Sequence, residues 1–348
     1  LSRAVLHREG PGREELTTGA DEGRRRAAPA ASHLQPWLPF ARIVARGRAH
    51  EITLKSGFDV DQFIEQIVTG LSIGSILLLV ALGLSIIYGS MGIINLAHGE
   101  FVMLGAYAAW VFHTYLGLGL LASLVPIFLV VAAFGWIIER FVLSLLNNRP
   151  LDTILATWGV GIMLQQAVRL SVGSELRYVQ LPPALSDSMN VFGIPISSYR
   201  VFLFVVSIAL FGATWLLMNR TTVGMKLRAI IQDRSVAASF GINAKRVYAL
   251  TFAYGAGLAG LAGALVSPLK SVSPDMGTGY VVDAFMVVVL GGVQSLAGTV
   301  ASAFILGELS GGIAFLQNDT VAKAIVLLAI VVLIRFRPEG LFTARVRA

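Results

Sequence analysis

The chain has 348 residues, of which 55% are hydrophobic and 14% charged, against about 25% charged in ordinary soluble domains. Its net charge of +7 is concentrated early: residues 1–58 hold ten Lys/Arg against six Asp/Glu, leaving an excess of +3 elsewhere, too little to argue for nucleic-acid binding. The absence of cysteine excludes disulfides and thiolate metal sites.

Residues 1–60 read as an N-terminal tail. The run Gly23–Arg26, the surrounding Ala and Pro and the mixed-sign charge predict disorder. Glu14, Glu15, Asp21 and Glu22 argue against a transit peptide, and no apolar core of a signal peptide precedes Ile64. The start at Leu1 is read as a fragment or an upstream extension of the frame.

Residues 61–345 form the expected transmembrane domain. A spanning helix needs about 20 mostly apolar residues, and candidates fall at 63–88, 99–116, 118–138, 151–171, 200–218, 248–266, 281–296, 298–316 and 320–335. This predicts an all-α polytopic membrane protein with about eight or nine spans, several broken by glycine. From Gln66 to Gly99 and from Phe101 to Ile138 there is no Asp, Glu, Lys or Arg; the single carboxylate between them is Glu100, beside Asn95 and His98. A broken apolar segment with polar side chains at the break is where a transporter handles a polar solute.

Orientation rests on residues 219–247, whose six Lys/Arg against Asp233 mark a cytoplasmic loop. Two short helices are expected there, near 224–231 and 235–240, with Asp233 near the start of the second and Gly241 stopping it. Gly224, Arg228, Asp233, Ala237, Ala238 and Gly241 are the candidate residues of a rigid knob that docks on another protein. A solvated basic loop that only sets topology is the alternative.

Further polar groups are candidates for lining a path. Trp158, Gln165 and Gln166 join Thr157 in the fourth segment, where an indole face and amides suit a planar polar solute. Interhelical hydrogen bonding is the competing use of such glutamines. Asp283 is an ionisable group ahead of a long uncharged run, with Glu308 ranked below it. A second break, Gly291–Gly298, includes Gln294; paired with the first, it raises an inverted repeat. Neither a Walker A sequence nor His-Glu-x-x-His is present, so no catalytic residue, metal or cofactor is assigned.

The loop resembles the coupling loop of ABC-importer permeases: Ala237, Ala238 and Gly241 match its small-residue helix and glycine, with Val236 where a glutamate is usual. GLSIGSILLLVALGLSIIYG (70–89), MGIINLAHGEFVMLGAY (91–107), ALTFAYGAGLAGLAGAL (249–265) and VVVLGGVQSLAGTVASAFILG (287–307) resemble the branched-chain amino acid branch of that family. LATWGVGIMLQQAVRL (155–170), LRYVQLP (176–182), GYVVDAFMVVVLGG (279–292) and FRPEGLF (336–342) resemble its urea-type permease subunit. The resemblance covers residues 62–344. It implies an inner-membrane subunit that moves urea by alternating access, with an amino-acid permease as the alternative and a stand-alone channel or ion-coupled carrier as the rival class. It also implies a homologous second permease, two cytoplasmic ATP-binding subunits and an external solute-binding protein as partners. ATP hydrolysis then falls to those other subunits.

Overall fold

A computed structural model describes residues 60–146, 149–191, 194–293, 295–337 and 340–342. The N-terminal segment 1–59 and Gln294 lie outside the described residues. Eleven α-helices follow one another: α1 (Val60–Met91), α2 (His98–Leu116), α3 (Leu120–Phe141), α4 (Pro150–Val172), α5 (Ser198–Arg220), α6 (Thr222–Gln232), α7 (Arg234–Ser239), α8 (Ala244–Val266), α9 (Met276–Gly291), α10 (Leu296–Leu316) and α11 (Asp319–Phe336). A two-stranded antiparallel hairpin, β1 (Ser188–Val191) and β2 (Ile194–Ser197), lies between α4 and α5. The fold is an all-α polytopic membrane bundle. Five of its helices meet both a length and an apolarity criterion for crossing a membrane.

The core sits on α1 and α8, whose most apolar windows are each 89% buried, whereas those of α3 and α5 are 28% and 17% buried. A helix buried all round must be apolar or small all round. Accordingly α8 turns a glycine row toward its neighbours: Gly255 lies on Gly83 of α1, Gly263 on Val102 of α2, and Gly257 on Phe128 of α3. Small residues let backbones approach where lipid supplies no hydrophobic drive. The outer helices carry the exposed apolar side chains, such as Val125 and Leu129 on α3 and Leu328 and Val331 on α11.

Direction follows from the contacts. The basic segment with α6 and α7 marks one end of the bundle, and Met91 packs there against the Leu227–Ile230 cluster. At the other end of α1, Gly70 lies against Glu308 and Gln66 against Gly311 of α10. The start of α1 therefore lies at the end of the bundle opposite the basic segment.

Two elements differ from the expected spans. Helix α9 runs over Met276–Gly291 rather than 281–296, because Gly292 takes φ +88° and Ser295 caps α10 by accepting from the Gly298 amide. Before Gln294, Val293 lies against Gly89, and Leu341 donates to the Leu290 carbonyl at the end of α9.

Candidate functional site

Helix α1 stops at the basic segment's end of the bundle with Gly92 at φ +64°, a left-handed conformation that a side chain disfavours. The chain then rises into the bundle without regular structure, and its backbone donors need partners. Side chains supply them. Asn95 Oδ1 accepts from the Ala97 amide at 3.1 Å, and Thr157 Oγ1 of α4 accepts from the Leu96 amide at 3.2 Å. Helix α2 therefore begins inside the bundle, level with the middle of α4.

From the opposite end a second irregular segment comes down. Residues 267–275, with Ser-Pro at 267–268 and again at 273–274, lead from the top of α8 to the start of α9. The segment is pinned by a bridge between Arg177 and Val272, with the Arg177 guanidinium 4.9 Å from the Trp110 ring centre. An ion pair between Arg169 and Asp275 ties it to α4. The two helix starts meet: a Cβ on Gly99 would collide with the Gly277 carbonyl, and one on Gly277 with the Gly99 carbonyl. Both helices thus turn their N-terminal, partially positive ends toward one place in the bundle.

Glu100 stands at that place, 4% exposed. Gln165 Nε2 donates to Glu100 Oε1 at 2.8 Å and to Thr278 Oγ1 at 3.2 Å, joining α2, α4 and α9. Glu100 Oε2 and Asn95 Nδ2 are buried without a protein partner. A buried carboxylate oxygen left unpaired is a strong acceptor with nothing to accept from. Gln165 is partly exposed and Thr278 exposed, so one side of the cluster is open.

The remaining candidates divide. His98 is fully buried, and its Nε2–H donates to the Val80 carbonyl at 3.0 Å. It fastens α2 to α1 and lies away from the open side. Trp158 is 59% exposed and Gln166 is exposed, both on the side of α4 that the rest of the chain leaves uncovered. Asp283 does not reach the Glu100 cluster. It pairs with Lys323 of α11 at 3.0 Å, with its side chain 13% exposed, on a different face of α9 from Thr278. Glu308 packs against Gly70 of α1. The sequence reading missed Thr278, Gly277, Arg169 and Asp275, although the paired Ser-Pro steps were the available signal of a broken segment.

In the basic segment, the two short helices α6 and α7 are fixed by local contacts. Gly224 sits where a Cβ would strike the Met218 carbonyl, and the Arg228 guanidinium donates to that same carbonyl, fixing the elbow between α5 and α6. Asp233 Oδ1 accepts from the amides of Ser235 at 2.8 Å and Val236 at 3.0 Å, capping α7. These bonds, from the Val236 amide and from the Ser235 hydroxyl and amide, hold its carboxyl below the usual carboxylate range. Ala237 is buried against Leu227, Ile230 and Tyr248, while Ala238 is exposed. Gly241 takes φ +78°, and the amides of Gly241 and Ile242 close on Ala238 and Ala237. Val236 and Phe240 are left 50% and 81% exposed.

The stretch Gly70-Leu-Ser-Ile-Gly74 spells Gly-x-Ser-x-Gly but lies inside α1, without the strand-to-helix turn that exposes a nucleophile. A helical bundle with a polar, half-open junction inside it and a capped knob at one end defines a membrane transport protein.

Residues 66–335 match the family described as the branched-chain amino acid transport system permease component. The chain belongs to that family and is a multi-pass inner-membrane protein. It is 32% identical over 300 residues to the high-affinity branched-chain amino acid transport system permease protein BraD of Pseudomonas aeruginosa, covering 81% of this chain and 96% of the relative. It is 31% identical over 299 residues to LivH of Escherichia coli, a permease protein of the same description, covering 80% and 96%. A shorter match, 33% over 129 residues, covers 34% of this chain and 40% of the ribose import permease protein RbsC of Escherichia coli. No solved structure matches the chain.

Proposed function

We propose that the chain is the membrane subunit of an ATP-driven importer for branched-chain amino acids, and that solute passes the open side of the Glu100–Gln165–Thr278 cluster. The relatives named for branched-chain amino acids support this solute over urea, which the sequence stretches favoured. The observation that carries the mechanism is the meeting of two helix N-termini at Glu100. A zwitterion needs an acceptor for its ammonium and a positive locus for its carboxylate. The unpaired Glu100 oxygen supplies the first, and the facing ends of α2 and α9 supply the second. Urea, carrying neither charge, would use only the amides.

Trp158 and Gln166 then face the route where a homologous second permease closes its other wall. Of the assembly's two ATP-binding subunits, one docks on α6 and α7 of this chain, through exposed Val236 and Phe240, and an external binding protein delivers the solute. The knob is rigid because both helices are capped and Ala237 is packed, so a push at α7 is carried by α6 and the Gly224 elbow into α5.

The test is uptake into vesicles holding the chain with its partner subunits. Leucine should accumulate with ATP, urea should neither accumulate nor compete, and Glu100→Gln should lower leucine uptake tenfold or more. Urea accumulation with no leucine uptake would reverse the solute assignment. Leucine flux without ATPase subunits would favour a channel.

A further inference from the structure

A largely apolar cavity with charged groups among its lining lies apart from the junction, on another face of α9. It has a volume of about 280 Å³ and is enclosed by α1, α9, α10, α11 and the Lys270–Ser271 loop, in the half of the bundle opposite the basic segment. Its floor is aliphatic, formed by Ile73, Ile76 and Leu77 of α1 with Leu306 of α10 and Val326 of α11. Its rim carries both signs of charge: Asp283 and Asp319 against Lys270 and Lys323. Charged groups at membrane depth are placed where they do work or are paired. Here the Asp283–Lys323 pair satisfies one carboxylate oxygen, with Lys323 54% and Asp283 13% exposed at the side chain. The pair therefore sits at the mouth of the cavity rather than sealed in the packing.

The geometry points to a binding site for a zwitterion with an aliphatic body, held with its cationic end at Asp283, its anionic end at Lys323 and Lys270, and its hydrocarbon on the α1 and α10 floor. The arrangement discriminates. A simple anion would meet Asp283 and Asp319, a simple cation would meet two lysines, and a polar solute without an aliphatic part would leave the floor wet. Two sources share the required chemistry: a free aliphatic amino acid entering from the external side, and the headgroup and upper chain of phosphatidylethanolamine from the outer leaflet. The site is distinct from the proposed route, because Thr278 and Gly277 turn toward α2 and α4 whereas Gly279, Tyr280 and Asp283 line the cavity.

The experiment uses the full chain in phosphatidylcholine nanodiscs and reads its thermal unfolding. One arm adds L-leucine, with urea as the uncharged control; the other dopes the disc with phosphatidylethanolamine. One of the two probes should raise the midpoint by several degrees, and that arm identifies the source. Read in the Glu100→Gln background, which removes the junction's acceptor for leucine, the shift should disappear in the charge-free pair Asp283→Asn/Lys323→Gln, which leaves no lone buried charge. It should also disappear in Ala314→Phe, which fills the cavity and keeps the ion pair. In Glu100→Gln it should persist, which separates this site from the junction. Stabilisation by neither probe, or a shift that survives in the charge-free pair or in Ala314→Phe, would overturn the assignment.

Discussion

Glu100 has one carboxylate oxygen held by Gln165 and the other buried without a partner, so its neighbours decide what it costs. Gln165→Leu removes the remaining donor and should destabilise the protein by about 1–3 kcal/mol. Removing both polar groups in Glu100→Leu/Gln165→Leu should restore most of that loss in a denaturation series; a double variant no more stable than the single one would show that Glu100 is solvated from elsewhere. Asp233 acts differently, through its cap. Its lowered carboxyl range means the cap is fully present above the ordinary pKa of a free aspartate and is lost as pH falls through the depressed value. At neutral pH, Asp233→Ala should speed amide hydrogen exchange over residues 234–239, and Asp233→Ser should keep it slow. Equal exchange in all three would refute the cap's role.

At the scale of elements, the bundle depends on close backbone approaches that admit no side chain, and Gly99 against Gly277 is one of them. Gly277→Ala places a methyl against the Gly99 carbonyl and near Glu100 Oε2. Overpacking of this kind costs about 1–3 kcal/mol, so leucine uptake and thermal midpoint should fall together. Unchanged values in both would mean that α2 and α9 do not touch there. Gly241 is constrained by conformation and not by space, since a Cβ there meets nothing within 4 Å. Gly241→Arg should leave the bundle inserted while uncoupling ATP hydrolysis from uptake, and Gly241→Asn, which tolerates a left-handed backbone, should keep much of the coupling. Normal ATP-driven uptake by Gly241→Arg would end the coupling role of α7. The knob was legible in the sequence because caps and stops are local chemistry: Asp233, Gly241 and the small residues between them specify α7 without help from the rest of the chain. The span of α9 was not. Hydropathy sums apolar residues and so favoured 281–296, while the true limits are set by the polar descent before Met276 and the left-handed Gly292, which a window average erases.

Over the whole molecule, the long apolar runs made the class and the helical fold legible. What the sequence did not show was which polar groups meet. Glu100 and Thr278 are far apart in the chain and are joined only because two irregular segments enter the bundle from opposite ends. Asp283, close to Thr278 in sequence, is turned by the helical period onto another face of α9. The same geometry leaves one side of α4 open, with Trp158 and Gln166 on it, where the proposed second permease would complete the route.

The central claim is that this junction is wetted during transport. The chain contains no cysteine, so single cysteines at Gln165 and Thr278 can be probed against Leu129→Cys on the lipid-facing side of α3, in vesicles holding the complete importer. A membrane-impermeant thiol reagent should label positions 165 and 278 in at least one nucleotide state, with leucine slowing the reaction, and should leave position 129 unlabelled. Protection of both junction positions in every nucleotide state, with leucine uptake intact, would contradict the route.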